Sequence, residues 1–161
     1  MGEPDLMVPL PSRFFVTGAS AVSAVSDLNA FDKALIGAGI GEQNLVSVSS
    51  VLPPGIRKVN PAPLSPGMIT YSVLAQMRGN EGEMIAAGIA YAFRKGGGHG
   101  YVAEGHIYGT REALEEILEW KIEEMARHRG VEFGPIRYDI QDLSVPMDHY
   151  GACVAALVFL R

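Results

Sequence analysis

Residues 28–54 have the sequence LNAFDKALIGAGIGEQNLVSVSSVLPP, and the spacing of the hydrophobic residues changes within them. In the first half, apolar residues recur at helical spacing, and Ser26 or Asp27 is a suitable N-cap. The residues at that spacing are Leu28, Phe31, Ala34, Leu35 and Ala38. The second half is rich in β-branched residues and serine, which favours a strand over residues 44–52 that ends at two prolines. This stretch therefore predicts a helix followed directly by a strand.

The rest of the chain is predicted to be mostly strands with one further helix. That helix begins after Thr110 and ends before Gly130, with acidic residues early and basic residues late, as the helix macrodipole favours. Small residues at 18–26 and five of the ten prolines at 53–66 predict loops. The other predicted strands cover residues 13–17, 68–77, 83–93, 101–108, 136–145 and 152–160. Without strict alternation of helix and strand, this content predicts an α+β fold with helices outside mostly antiparallel sheets.

Length and charge limit the kinds of partner that the protein can have. A chain of 161 residues fits one domain, and its 13 Lys+Arg against 18 Asp+Glu give a net charge of −5. No basic run is longer than two residues, which argues against a nucleic-acid or anionic-membrane surface. We therefore expect a small-molecule substrate or a protein partner, no nucleic-acid partner and no membrane partner.

Three features of the sequence predict a cytoplasmic location. The single cysteine, Cys153, lies in an apolar strand pattern, which is typical of a reducing compartment. Residues 1–6 show no cationic leader or apolar signal segment. The longest apolar run, over residues 152–160, is far shorter than the roughly 20 residues of a membrane-spanning helix.

The common motifs for metal and nucleotide binding are absent from the sequence. The four histidines show no spacing typical of metal ligands, so we expect no metal site. The glycines at 37–41 follow a predicted helix, whereas a dinucleotide-binding loop follows a strand, and Glu42 stands where that loop needs glycine. A helix end and a tight turn explain these glycines better.

Ser49 and Ser50 stand out by their context, since they lie at the end of a strand and just before Pro53 and Pro54. A peptide held in a defined geometry there can react with itself. The Ser50 hydroxyl can attack the carbonyl of Ser49 and form an ester. Removal of the Ser50 α-proton then expels the upstream chain and leaves dehydroalanine, which hydrolyses to a pyruvoyl group. By composition alone, two serines in a strand are ordinary.

Several segments together resemble the signature of the pyruvoyl-dependent arginine decarboxylases. Within residues 28–54 the matching segments, in order and spacing, are LNAFD, AGIG, NL, SS and PP. Residues 100–104 resemble the strand that bears the catalytic glutamate of the family, and residues 151–156 resemble its last strand. After Glu104 the chain has Gly105 and His106, where the family pattern has an aromatic and a second acidic residue.

The resemblance implies a fold and a chemistry. The fold is a four-layer αββα sandwich, assembled as a homotrimer with active sites between subunits. One domain, residues 1–161, would cut itself into a β chain of residues 1–49 and an α chain of residues 50–161. Ser50 would become a covalently bound pyruvoyl cofactor, so that neither pyridoxal phosphate nor a metal is needed. The implied reaction converts L-arginine to agmatine and CO2, a step in polyamine biosynthesis.

The resemblance also implies roles for three further residues. Glu104 matches the catalytic glutamate, and reprotonation of the carbanion requires a carboxylic acid in an apolar, partly desolvated site. Asp32 matches the carboxylate that would bind the guanidinium of the substrate by paired hydrogen bonds. Asn44 matches a residue that would hold or polarise the reacting peptide during processing. A solvated carboxylate on a helix surface remains the alternative for Asp32.

Two other functions stay open at this point. The protein could be a pyruvoyl decarboxylase of another amino acid, such as lysine, ornithine or histidine. It could also be a trimeric binding protein that is never processed and catalyses nothing.

Overall fold

The structure is a computed structural model and describes residues 10–161. The predicted lack of a leader in residues 1–6 therefore lies outside the described residues. Within residues 10–161, two helices, α1 (Asp27–Gly37) and α2 (Arg111–Arg129), accompany nine strands. The strands are β1 (Arg13–Ser23), β2 (Asn44–Ser47), β3 (Val51–Leu52), β4 (Arg57–Lys58), β5 (Ile69–Gly79), β6 (Met84–Phe93), β7 (Gly100–Tyr108), β8 (Arg137–Ser144) and β9 (Tyr150–Leu160). No helix in the described part of the chain is long and apolar enough to cross a membrane.

The strands form two sheets. The first sheet has the order β2-β5-β9-β1-β4, and the second has the order β3-β7-β6-β8. β2 and β4 pair parallel to their neighbours, whereas all other neighbours pair antiparallel. The mostly antiparallel α+β fold predicted from the sequence is therefore confirmed.

Three apolar cores join the elements into four layers, helix on sheet on sheet on helix. Strand β9 shows how one strand serves two cores, because successive side chains point to opposite faces. Cys153, Ala155 and Leu157 pack between the sheets, while Val154 and Val158 pack under α1. Leu114, Leu118 and Ile122 of α2 pack on the other face of the second sheet, against Ala86, Ala90, Ala103 and Ile140.

Both helices begin and end as their sequences predict. The Ser26 hydroxyl accepts a hydrogen bond from the backbone N–H of Asn29, and the Thr110 hydroxyl accepts one from Ala113. Helix α2 ends at Gly130, whose φ of 62° lies in the left-handed region that glycine tolerates best.

The predicted strand over residues 13–17 was too short. β1 continues to Ser23 and pairs with β9 along its whole length. The small residues that suggested a loop at 18–26 instead permit close packing between layers. An added Cβ at Gly18 would lie 2.6 Å from Oδ1 of Asp139, and Ala19 faces Gly37 of α1.

The single strand predicted over residues 44–52 is in fact two strands in different sheets. β2 ends at Ser47 and pairs with β5, whereas β3 begins at Val51 and pairs with β7. In addition, the proline-rich segment predicted to be a loop contains the two-residue strand β4, which pairs with the start of β1.

Candidate active site

The peptide between Ser49 and Ser50 lies where the chain crosses from the first sheet to the second. On one side of it, the backbone N–H of Val48 donates to the carbonyl oxygen of Ser72 in β5, at 3.0 Å. On the other side, the carbonyl oxygen of Ser50 accepts a hydrogen bond from the backbone N–H of Val102 in β7, at 2.9 Å. The two serines are thus held between two anchors that belong to different sheets.

This crossing segment opens onto a cavity of about 930 Å³. Ser49 is exposed and Ser50 is half-buried. The cavity walls come from the crossing segment, β7 and α2. Lining residues include Ser49, Ser50, Val102, Glu104, Trp120 and Lys121. The cavity is large enough for an amino-acid substrate and places Ser50 and Glu104, predicted from the sequence as one site, around the same space.

Glu104 reaches this cavity from β7, but the described chain leaves its side chain exposed. At the neighbouring edge of β7, β3 pairs only with Gly100 and Tyr101. Beyond that point nothing in the described residues adds a strand to this edge of β7. Val73, Val102 and other apolar side chains share the cavity, yet one chain alone does not supply the partly desolvated surroundings expected for Glu104.

Helix α2 contributes one aromatic and four polar residues that were not predicted from the sequence as part of the site. They lie on one helical face and are Trp120, Lys121, Glu124, Arg127 and His128. In the sequence, Arg127 and His128 are recognisable only as basic residues that suit a helix C-terminus. Their spacing of three or four residues along α2 is the signal that could have found this face, once its packing beside β7 is known.

Glu124 is the centre of an ion-pair group on this face. Its carboxylate contacts the guanidinium of Arg127, and its Oε1 lies 2.8 Å from Nε2 of His128. The hydrogen bond and the positive charge of Arg127 lower the pKa of Glu124, and Glu124 in turn raises the pKa of Arg127. Both groups are therefore charged at neutral pH and make one wall of the cavity polar.

Asp32 lies elsewhere in the chain. It is an exposed residue of α1, and α1 packs on the face of the first sheet that points away from the second sheet. Asp32 does not line the cavity that contains Ser50. Within one chain, the structure does not bring the predicted guanidinium-binding carboxylate to the predicted cleavage site.

Asn44 also stays apart from the two serines in this chain. Its side-chain Nδ2 donates to the carbonyl oxygen of Gly67 at 2.9 Å, and its backbone N–H donates to Met68 at 2.9 Å. Asn44 therefore fixes the start of β2 against the turn that precedes β5. Any influence on Ser49 passes through the short strand β2.

No group of three or more His, Cys, Asp or Glu side chains in residues 10–161 is arranged to hold a metal ion. Cys153, the one thiol of the chain, is buried between the sheets. Burial raises its pKa to about 12, so it is protonated at neutral pH and poorly suited to act as a nucleophile or a ligand.

The chain is similar in sequence to one protein family along most of its length. Residues 13–161 match the family model described as pyruvoyl-dependent arginine decarboxylase (PvlArgDC). The chain is 36% identical over 152 residues to a pyruvoyl-dependent arginine decarboxylase of Thermococcus kodakarensis, covering 92% of this chain and 94% of that relative. It is 33% identical to one of Methanopyrus kandleri, covering 93% of this chain and 97% of the relative. A third, of Pyrococcus furiosus, is 34% identical, covering 87% and 90%.

Proposed function

Because the chain belongs to the pyruvoyl-dependent arginine decarboxylase family, we propose that it cuts itself between Ser49 and Ser50 and then converts L-arginine to agmatine and CO2. The observation that carries this proposal is the anchored crossing segment, which turns Ser50 toward the cavity that Glu104 also lines.

A pyruvoyl group at position 50 fits the surroundings of Ser50. The group has no more heavy atoms than a serine with its own backbone nitrogen, so it needs no extra space. The amide oxygen of residue 50 would keep its hydrogen bond from Val102 after cleavage, because that bond lies on the retained side of the cut. Such a group accepts the electron pair that is left when CO2 departs from the bound substrate.

Processing uses groups of the chain itself. The Oγ of Ser50 attacks the carbonyl carbon of Ser49, the peptide C–N bond breaks, and the upstream chain is carried as an ester. Loss of the Ser50 α-proton breaks the Cβ–O bond and releases Ser49 as a carboxylate. Water then hydrolyses dehydroalanine and releases ammonia. Anchors on both sides of the serines favour this sequence because they limit the motion of the reacting atoms.

In turnover, Glu104 donates a proton to the substrate carbon that has lost CO2. A carboxylic acid can hold that proton only when water is largely excluded from its surroundings. The exposure of Glu104 in one chain implies that another protomer covers the cavity in the working enzyme.

Asp32 binds the guanidinium of the substrate from a neighbouring protomer. A carboxylate and a guanidinium form two parallel charge-assisted hydrogen bonds, which favours arginine over lysine. We propose a homotrimer, in which each site takes Ser50 and Glu104 from one protomer and Asp32 from the next. A cyclic arrangement repeats this contact identically around the ring.

Release of CO2 from arginine, lysine, ornithine and histidine tests the proposed activity. We expect arginine to be turned over with agmatine as the product, and the other three to react much more slowly. Faster reaction of another amino acid would assign the enzyme to that substrate. A single uncut band on a denaturing gel, with no CO2 from any of the four, would instead favour a binding protein.

Mixed oligomers test how the site is shared. At an arginine concentration far below the raised KM of Asp32→Asn, the Asp32→Asn and Glu104→Gln variants should each be nearly inactive, but co-expressed chains in equal amounts should restore about a quarter of the sites if each site uses two protomers. No recovery in oligomers shown to be mixed would mean that both residues of a site come from the same chain.

A further inference from the structure

The edge of β7 beside the cavity is held by a side chain of α2. Backbone groups along a strand alternate between its two edges, so Val102 and Glu104 direct their N–H and C=O groups to the same edge. That edge faces β3, since the Val102 N–H donates to Ser50. β3 ends its pairing at Tyr101, so the backbone of Glu104 meets no further strand within the described residues.

Lys121 supplies the hydrogen-bond partner that is missing at this strand edge. Its Nζ donates a hydrogen bond to the backbone carbonyl oxygen of Glu104 at 2.8 Å. Lys121 also lines the cavity, together with Glu104 and Ser50. A charged donor on a free strand edge satisfies a carbonyl that would otherwise depend on water, and such hydrogen bonds are stronger than neutral ones.

The position of Gly105 makes this contact possible. An added Cβ at Gly105 would lie 3.0 Å from Cδ1 of Leu114 and 3.6 Å from Nζ of Lys121. A side chain at this position would require Leu114 and Leu118 of α2 to shift by a few tenths of an ångström and would contact the lysine nitrogen. The glycine therefore lets α2 approach β7 closely enough for Lys121 to reach the neighbouring carbonyl.

From these contacts we infer that Lys121 is a positioning residue for Glu104. It restrains the backbone of residue 104 and so fixes the point from which the carboxyl group enters the cavity. It does not touch the reacting atoms. The inference rests on the proposed role of Glu104 as proton donor, and it adds a residue of α2 to the machinery of that step.

The restraint itself can be measured without any activity. Hydrogen–deuterium exchange is compared between Ser50→Ala and the double variant Ser50→Ala, Lys121→Met, neither of which can carry a pyruvoyl group. We expect faster exchange over residues 103–108 in the double variant, because the strand edge loses its tether. A Lys58→Met change, at an exposed lysine of β4 that does not line the cavity, is the matched control and should leave this segment unchanged.

The consequence for turnover is measured in the otherwise native chain. Lys121→Met should lower kcat for arginine about tenfold, because a displaced proton donor transfers its proton less efficiently, with KM changed little and cleavage complete. Lys121→Arg keeps a charged donor and should restore most of kcat. A merely structural role would not separate kcat from KM in this way.

The exchange and kinetic results test two separate parts of the proposal. Unchanged exchange over residues 103–108 would overturn the tether, and unchanged kcat despite faster exchange would overturn the positioning role. A native chain that is never cut or never acts on arginine would refute the proposed function and the positioning role with it. The exchange experiment would still report in that case whether Lys121 holds the strand.

Discussion

The segment that crosses between the sheets and helix α1 differ in how completely one chain surrounds them. The crossing segment is anchored on both sides of Ser50, opens onto a cavity, and shares it with Glu104. Helix α1 is equally well packed underneath, yet Asp32 points to solvent on the outer side of the first sheet. Under the proposed function, one chain contains the groups for cutting itself, whereas selection of arginine needs Asp32 from a second chain. We therefore expect a variant at Ser50 to lose cleavage, whereas a variant at Asp32 should be cleaved normally but bind arginine more weakly.

The largest effect is expected from Ser50→Ala. Without the hydroxyl there is no attack on Ser49 and no precursor of the pyruvoyl group, so both cleavage and decarboxylation should be lost. A denaturing gel and CO2 release from arginine check the two effects on the same sample. Efficient cleavage of this variant would disprove the proposed mechanism.

Glu104→Gln should separate turnover from processing within the same cavity. The amide keeps the size of the side chain but is a poor proton donor, so kcat should fall by about 10²–10⁴-fold, which is typical of general acid–base groups. Cleavage should proceed as in the native chain. Steady-state kinetics on fully cleaved protein measures the effect, with Glu116→Gln on the exposed side of α2 as the control. Near-normal kcat in a cleaved Glu104→Gln protein would move the proton-donor role to another group.

Asp32→Asn should affect substrate binding but not cleavage. Loss of a charged hydrogen bond typically costs about 1.5–3 kcal/mol, so KM for arginine should rise roughly tenfold to a hundredfold. Cleavage should be unaffected because α1 lies away from the serines. Kinetics with arginine and with lysine measures both the loss of affinity and the loss of selectivity. If the variant binds arginine as well as the native protein does, Asp32 is a surface residue. Helix α1 would then have no part in substrate selection.

Asn44→Ala should have the smallest effect, on the rate of processing. Its side chain makes one hydrogen bond to Gly67, and a bond of that kind is worth about 1 kcal/mol, so cleavage should slow by roughly fivefold. The rate is read from the disappearance of the uncut chain after synthesis. Processing at the native rate would show that Asn44 neither holds nor polarises the reacting peptide.

The features that were predictable from the sequence are those set by local chemistry. Caps at Ser26 and Thr110 bound both helices, and alternating apolar residues located the long strands. The break between Ser47 and Val51 was not predictable in this way, because each side of it is a good strand sequence and only the partner strands differ. Likewise, the face of α2 that lines the cavity becomes recognisable only when its packing against β7 is known.

The small residues of β1 illustrate the same limit. Gly18 and Ala19 have low strand propensity, which predicted a loop. In the fold they lie where neighbouring layers come closest, and only small side chains fit there. This packing requirement outweighs their low strand propensity. Of the predicted site residues, Ser50 and Glu104 share one cavity within the chain, whereas Asp32 and Asn44 do not line it.

The mass of the native protein under denaturing conditions shows directly whether the chain has cut itself at Ser50. We expect two chains, one of residues 1–49 and one of residues 50–161 that begins with a pyruvoyl group and is closed to Edman sequencing. A tag placed at either end would identify the two pieces. A single chain with the full mass of 17.2 kDa, in protein incubated long enough to process, would show that Ser50 is not converted to a pyruvoyl group.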